Sequence, residues 1–247
     1  AVIEQLVRDA RHRARRAGRS MQRADLIEVL EAKSKRLDPQ TQWRIALHEA
    51  GHAVAAYRRL ASTSINISIL ATDSGGWTLY GRSDRPLTRQ VVADRLLVML
   101  AGRAAEEVFL GEVSGAAGGP ATSDLAQATK LALDAVASFG LSAANTLLWH
   151  GATGRADTLH YPAHLVAEAD ALLIDAYCQG KVLIANEREF TERVAQALVK
   201  QRALSHKDFI ALDCKPVELG SFKWLMRAQA TNCRRPVPPT NRAAVRS

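Results

Sequence analysis

The sequence predicts a mainly α fold carrying one small β-hairpin. Three observations point there. Aromatics make up 5% of the 247 residues while hydrophobic residues make up 47%, an Ala- and Leu-rich balance that suits helix packing better than a β-sandwich. Apolar residues recur at helical spacing on both sides of residues 64–80. Within that window, residues 64–70 (SINISIL) alternate and are β-branched, and after the turn residues ATDSGG the segment WTLYG returns as a second strand.

The elements follow in order. Ile3, Leu6, Val7, Ala10 and Ala14 give a helix over residues 2–17, stopped by Gly18. Ser20 is the expected N-cap of a second helix to about Lys35. Asp38-Pro39 marks a boundary and opens a helix to Leu60. A strong helix over 88–110 is closed by Gly111, and the small-residue loop SGAAGGPATS leads into a helix over 123–138. Residues 151–162 read as irregular. Helices are expected at about 163–178 and 181–202, then a short one from Ser205 to Leu212. The tail past about Arg227 is rich in Pro and Arg and is expected to be disordered. Three parts result: 1–36, too small to fold alone; a main domain, 37–214; and a C-terminal extension, 215–247.

Charge narrows the function classes. The net charge is +8, but residues 1–36 hold ten Lys/Arg against five Asp/Glu, residues 215–247 seven against one, and residues 37–214 sixteen against nineteen. The basic character sits at the two ends, so a basic groove across the fold, and with it nucleic-acid binding, is not supported. No apolar run is long enough for a membrane segment. Cys178, Cys214 and Cys233 form no CxxC pair, which speaks for a reducing compartment and against a disulfide framework. The chain starts at Ala1, which suggests a fragment or a processed product.

The chemistry is concentrated at His48-Glu49-Ala50-Gly51-His52, inside a helical stretch. Positions i and i+4 share one helix face, so two imidazoles can reach one metal ion. Glu49 is offset around the helix and can take a proton from an attacking water without ligating the metal. This is the arrangement of a zinc peptidase. Two histidines are an incomplete set, since a catalytic zinc site needs a third protein ligand and one open position. Asp124 is a candidate, in the first turn of a helix, where it can equally be a charge that complements the helix dipole. Glu106 and Glu107 are rivals, as ligand, as hydrogen-bond partner of a zinc histidine, or as ion-pair partners of Arg103. His160 and His164 are also four apart, but Pro162 between them argues against a regular helix, and the spacing reads as coincidence.

HEAGHAV, then LAGRAAEEVFLG (100–111), then ATSDLAQAT (121–129), resemble in that order the peptidase domain of the FtsH family of AAA zinc metalloproteases, over about residues 40–212. The resemblance implies one zinc per chain, held by His48, His52 and Asp124, with Glu49 as base. Glu106 and Glu107 match the family's AEE text and take a supporting or packing role. Residues 1–36 resemble the last helices of the AAA lid that precedes the peptidase. No GxxxxGK[ST] loop occurs in the sequence, so ATP would act only through an ATPase module outside this chain. Pro120 departs from the family's small glycine, a change expected to bear on the placement of Asp124.

The resemblance further implies unfolded proteins or peptides as substrates, a hexameric ring, and a domain on the cytoplasmic side of a full-length protein that can be membrane-anchored. The second strand, Gly76, Trp77, Thr78, Leu79 and Tyr80, offers an edge where an extended peptide can add. In a second reading, Trp77, Leu79 and Tyr80 cover the active-site helix. Pro120 and the missing phosphate loop motivate an alternative function, a weak or inactive peptidase-like assembly or chaperone module.

Overall fold

The computed structural model describes residues 2–33, 37–72, 75–81, 85–143, 147–151 and 161–213. The 215–247 extension, most of the 151–162 stretch and His160 lie outside them. Among the described residues there are eight α-helices: α1 Val2–Arg16, α2 Arg23–Lys33, α3 Pro39–Leu60, α4 Arg89–Leu110, α5 Asp124–Ala137, α6 Ala163–Asn186, α7 Arg188–Gln201 and α8 His206–Ala211. The strands are β1 Ile65–Thr72, β2 Gly75–Tyr80 and β3 Ala203–Leu204. The mainly α expectation and the hairpin both hold.

Helix α3 is the axis of the fold. Asp38 caps it by accepting the Thr41 N–H at 2.9 Å, with Pro39 in the first turn. From Ala46 to Ala56 the helix is buried on all sides, because it lies between two apolar clusters. One, built with α4, α5 and α6, holds Leu96, Leu97, Leu133, Val136 and Leu165. The other, built with the sheet, α7 and α8, holds Leu47, Val54, Ile65, Ile67, Phe190, Leu198 and Phe209. A helix apolar on every face is a core helix, so polar side chains on it need partners.

The sheet order is β2-β1-β3, all antiparallel. β3 adds to the far side of β1, which leaves β2 at an edge. Two residues carry no alternation to read, so this strand was not expected from the sequence. Opposite it, β2 pairs Tyr80 with Ile65, Leu79 with Asn66 and Thr78 with Ile67.

Three expectations need correction. The helices expected at about 163–178 and 181–202 do not divide there: α6 runs unbroken through Gly180, with Ala176 and Ile184 buried on either side. The break falls at Glu187, whose carboxylate meets Arg58 at 3.1 Å. Ser20 does not cap α2, which starts at Arg23. The turn is closed instead by buried Asp25, which accepts the Arg19 guanidinium at 2.7 and 2.8 Å and the Gln22 N–H at 2.8 Å. Cys178 on α6 is disulfide-bonded, contrary to the expectation against disulfides drawn from the odd count and wide spacing of the cysteines. No helix among the described residues is long and apolar enough to cross a membrane.

Candidate metal centre

Two glycines on facing helices make room for the site. Gly51, between the two histidines, faces α4: a Cβ there would lie 2.5 Å from the Ala101 carbonyl oxygen and 2.8 Å from the Ala105 Cβ. The backbones of α3 and α4 therefore approach closely. One residue along α4, a Cβ on Gly102 would lie 2.5 Å from His52 Nε2 and 2.6 Å from His48 Nε2. Gly102 clears the space into which both imidazoles point. A glycine inside a helical pattern carries no functional mark in the sequence.

Both rings are buried and oriented through Nδ1. His48 Nδ1 lies 2.8 Å from Glu106 Oε1, and His52 Nδ1 lies 2.8 Å from the Val98 carbonyl oxygen. Acceptors at these positions make each Nδ1 the N–H donor, so in the neutral rings it is Nε2 that offers the lone pair. The two Nε2 atoms stand 3.1 Å apart. Glu106, 1% exposed, also accepts from Arg44 Nη1 at 2.9 Å and from the Ser114 N–H at 2.8 Å and hydroxyl at 3.1 Å. Its four bonds tie α3, α4 and the loop after α4 together. Glu107 points elsewhere, to the Tyr177 hydroxyl and Lys181, because one helix step turns it about 100° away from Glu106. A supporting role in this site does not fit it.

Asp124 arrives from the first turn of α5. Ser123 caps α5 by accepting the Ala126 N–H, and its own N–H donates to the Pro120 carbonyl at 2.9 Å. The turn containing Pro120 thus delivers Asp124 to the histidines rather than withdrawing it. Asp124 Oδ2 stands 3.1 Å from His48 Nε2 and 3.3 Å from His52 Nε2. His48, His52 and Asp124 are a group, among the described residues, able to hold a metal ion. His164 faces His150 instead, ring centroids 6.2 Å apart.

The electrostatics are those of donors crowded around one candidate metal position. Burial opposes protonation of His48, but its hydrogen bonds to Asp124 and Glu106 outweigh burial and hold its pKa up to about 9. Burial works against ionisation of Glu106 as well, yet His48, Arg44 and Ser114 bring it down to about 2. Asp124, also opposed by burial, is held well below the usual carboxylate range by the two imidazoles. Two imidazole nitrogens, one carboxylate oxygen and a cleared space match the three-ligand set of a catalytic zinc site.

Glu49, 6% exposed, turns toward β2. Its Oε2 accepts the Thr78 hydroxyl at 2.6 Å. Trp77 and Leu79 alternate outward, 45% and 62% exposed, while Tyr80 packs against both apolar clusters. Of the three residues read as cover for the active-site helix, Tyr80 alone turns inward. The Gly81 N–H donates to the Ser64 carbonyl at 2.9 Å. Stepping by two along the register turns the backbone groups of Leu79 and Trp77 toward β1 and those of Thr78 and Tyr80 toward the open edge.

A family model described as peptidase family M41 matches residues 35–212. The chain belongs to peptidase family M41. Its M41 region takes in every residue of the centre and agrees with the FtsH resemblance over 40–212. The chain is 34% identical over 214 residues to the ATP-dependent zinc metalloprotease FtsH 1 of Sorangium cellulosum, covering 77% of this chain and 34% of that protein. It is 30% identical over 215 residues to an ATP-dependent zinc metalloprotease FtsH of Pseudomonas putida, covering 80% of this chain and 34% of that protein. It is also 30% identical over 199 residues to the mitochondrial inner membrane m-AAA protease component AFG3L1 of Mus musculus, covering 76% and 24%. The chain spans about a third or less of the length of these relatives. It is an FtsH-family peptidase domain.

Proposed function

We propose that this M41 domain is a zinc endopeptidase, with His48, His52 and Asp124 as ligands and Glu49 as the general base. The observation that carries the reading is the convergence of two Nε2 atoms and one Oδ2 beside a glycine-cleared space, with Glu49 at the adjacent helix position. Zinc bound there supplies a Lewis acid that lowers the pKa of water toward about 7 and polarises a carbonyl. Glu49 then accepts the proton of the attacking water and returns it to the leaving amine. Its Oε2 accepts the Thr78 hydroxyl, which leaves Oε1 the more available oxygen for that proton. Glu106 and the Val98 carbonyl hold the imidazoles in the required tautomer.

The substrate is an extended, unfolded polypeptide that adds to β2 through the outward backbone groups of Thr78 and Tyr80. Main-chain recognition accepts many sequences, which suits a degradative enzyme. The names of the relatives support ATP-dependent action. From the FtsH resemblance we further propose that the domain is one part of a larger assembly: a homohexameric ring coupled to an AAA module, with 1–36 as lid-like helices, 215–247 as a basic extension, and the peptidase on the cytoplasmic side of a membrane.

The test is Glu49→Gln in the zinc-loaded chain. Zinc content is expected to stay and cleavage of unfolded casein to vanish. Unchanged cleavage in Glu49→Gln refutes the mechanism, and a zinc-loaded wild type without cleavage would favour the assembly-module alternative.

A further inference from the structure

Thr78 touches the Glu49 carboxylate from outside α3. Its Oγ1 lies 2.6 Å from Glu49 Oε2 and 3.1 Å from the Glu49 carbonyl oxygen. A hydroxyl has one proton to give, and the short bond to an ionised oxygen is the stronger of the two. Two residues earlier on the strand, a Cβ on Gly76 would stand 2.7 Å from Glu49 Cγ and 2.9 Å from Oε1. β2 therefore lies against the Glu49 side chain at two points, one polar and one a bare Cα. The same strand forms the open edge of the sheet, and the outward backbone groups of Thr78 are among those that would bond an added peptide.

We propose that Thr78 is a positioning residue for Glu49, and that the strand receiving the peptide is also the strap that fixes the base. Docking and base alignment are then set by one backbone: a peptide added to β2 stiffens the residue that holds the carboxylate. The inference rests on the reading of Glu49 as general base. It predicts a particular sensitivity. Valine has the shape of threonine but presents a methyl where the hydroxyl was. A methyl requires about 3.5 Å to an oxygen, so the carboxylate must retreat by about 1 Å. A misplacement of about 1 Å near the chemistry can cost on the order of a hundredfold in rate.

The experiment uses the full chain, zinc-loaded, with a fluorogenic peptide cut from casein. Thr78→Val is expected to lower kcat by about ten- to a hundredfold, with KM within about threefold and zinc affinity unchanged. Thr78→Ser is expected to recover kcat to within about threefold of wild type, because the hydroxyl is restored. Crystal structures of the zinc-free variants give a readout independent of turnover. Glu49 keeps its carboxylate position in Thr78→Ser and moves, or spreads over rotamers, in Thr78→Val. A Val variant with unchanged kcat, a Glu49 carboxylate unmoved in it, or a Ser variant as impaired as Val would overturn the proposal. Full turnover by Glu49→Gln would instead remove the base assignment, a failure that the Thr78 crystal structures do not register.

Discussion

Glu106 accepts the Nδ1 proton of His48 at 2.8 Å across 58 positions of chain. The bond joins α4 to α3 and fixes which His48 nitrogen is free. The same carboxylate holds Arg44 and Ser114, so the orientation of the imidazole is set by the packing of the whole region.

Glu106→Gln keeps the shape and removes the charge. Zinc affinity is expected to fall by about ten- to a hundredfold, the usual effect of losing a carboxylate behind a ligating histidine. Competition with a chelator of known affinity measures it. Unchanged affinity would mean that Glu106 serves packing alone.

The two glycines of the α3–α4 contact separate stability from metal binding. Gly102→Ala puts a methyl 2.5 Å from His52 Nε2. The imidazoles must turn out of their Nδ1 hydrogen bonds to make room, so zinc binding is lost, while the metal-free chain loses less stability than a backbone clash costs. Gly51→Ala drives a methyl into the Ala101 backbone oxygen, which cannot rotate away. That variant is expected to cost roughly 1–3 kcal/mol of stability by overpacking, visible in calorimetry as a lowered melting temperature. Loss of stability in Gly102→Ala comparable to that in Gly51→Ala would contradict this division.

The pH dependence of metal binding follows from His48. Zinc requires a neutral imidazole, and in the metal-free site the His48 proton is held up to about 9. Protons therefore compete with zinc across the neutral range, and zinc affinity should rise with pH until about 9 and then level. Calorimetric titration between pH 6 and pH 10 checks this; a plateau reached already near neutrality would contradict it. Without metal the sign reverses. A raised histidine pKa stabilises the fold below the ordinary value of 6.5, and that contribution disappears as pH rises through about 9. Glu106, lowered from 4.5 to about 2, contributes above the first value and loses its contribution as pH falls to the second.

Leu79 tests the edge strand. Its side chain is 62% exposed, so Leu79→Ser should leave the melting temperature and zinc content unchanged. Losing about 1 kcal/mol of apolar contact with a bound peptide would raise KM about fivefold, measured by steady-state kinetics on an apolar peptide. Unchanged KM would remove Leu79 from the docking surface. Proline at this position is a poor probe, because the Leu79 amide faces β1 and its loss would break the hairpin itself.

Much of this was legible in the sequence, for stated reasons. HEAGH on a core helix brings His48 and His52 together by helix geometry alone. The hairpin showed in the alternation of SINISIL. Asp124 did not follow from spacing. Seventy-two positions separate it from His52, and its place came from resemblance to a family. For Glu106 three roles stayed open, since a helical position does not reveal which side faces a histidine 58 residues earlier. Gly102 and the Thr78–Glu49 bond left no trace in the pattern, because both exist only once α4 and β2 are packed on α3. The division expected between about 178 and 181 does not occur for the converse reason: packing of α6 on α4 overrides a local helix-breaking preference at Gly180.

Zinc content of purified wild type beside Asp124→Ala, after identical loading and dialysis, tests the central claim most directly. Convergence of His48, His52 and Asp124 on one ion predicts about one zinc per chain in wild type and a small fraction of that in the variant, with the helical fold of both intact by circular dichroism. Equal zinc in the two proteins would contradict the site.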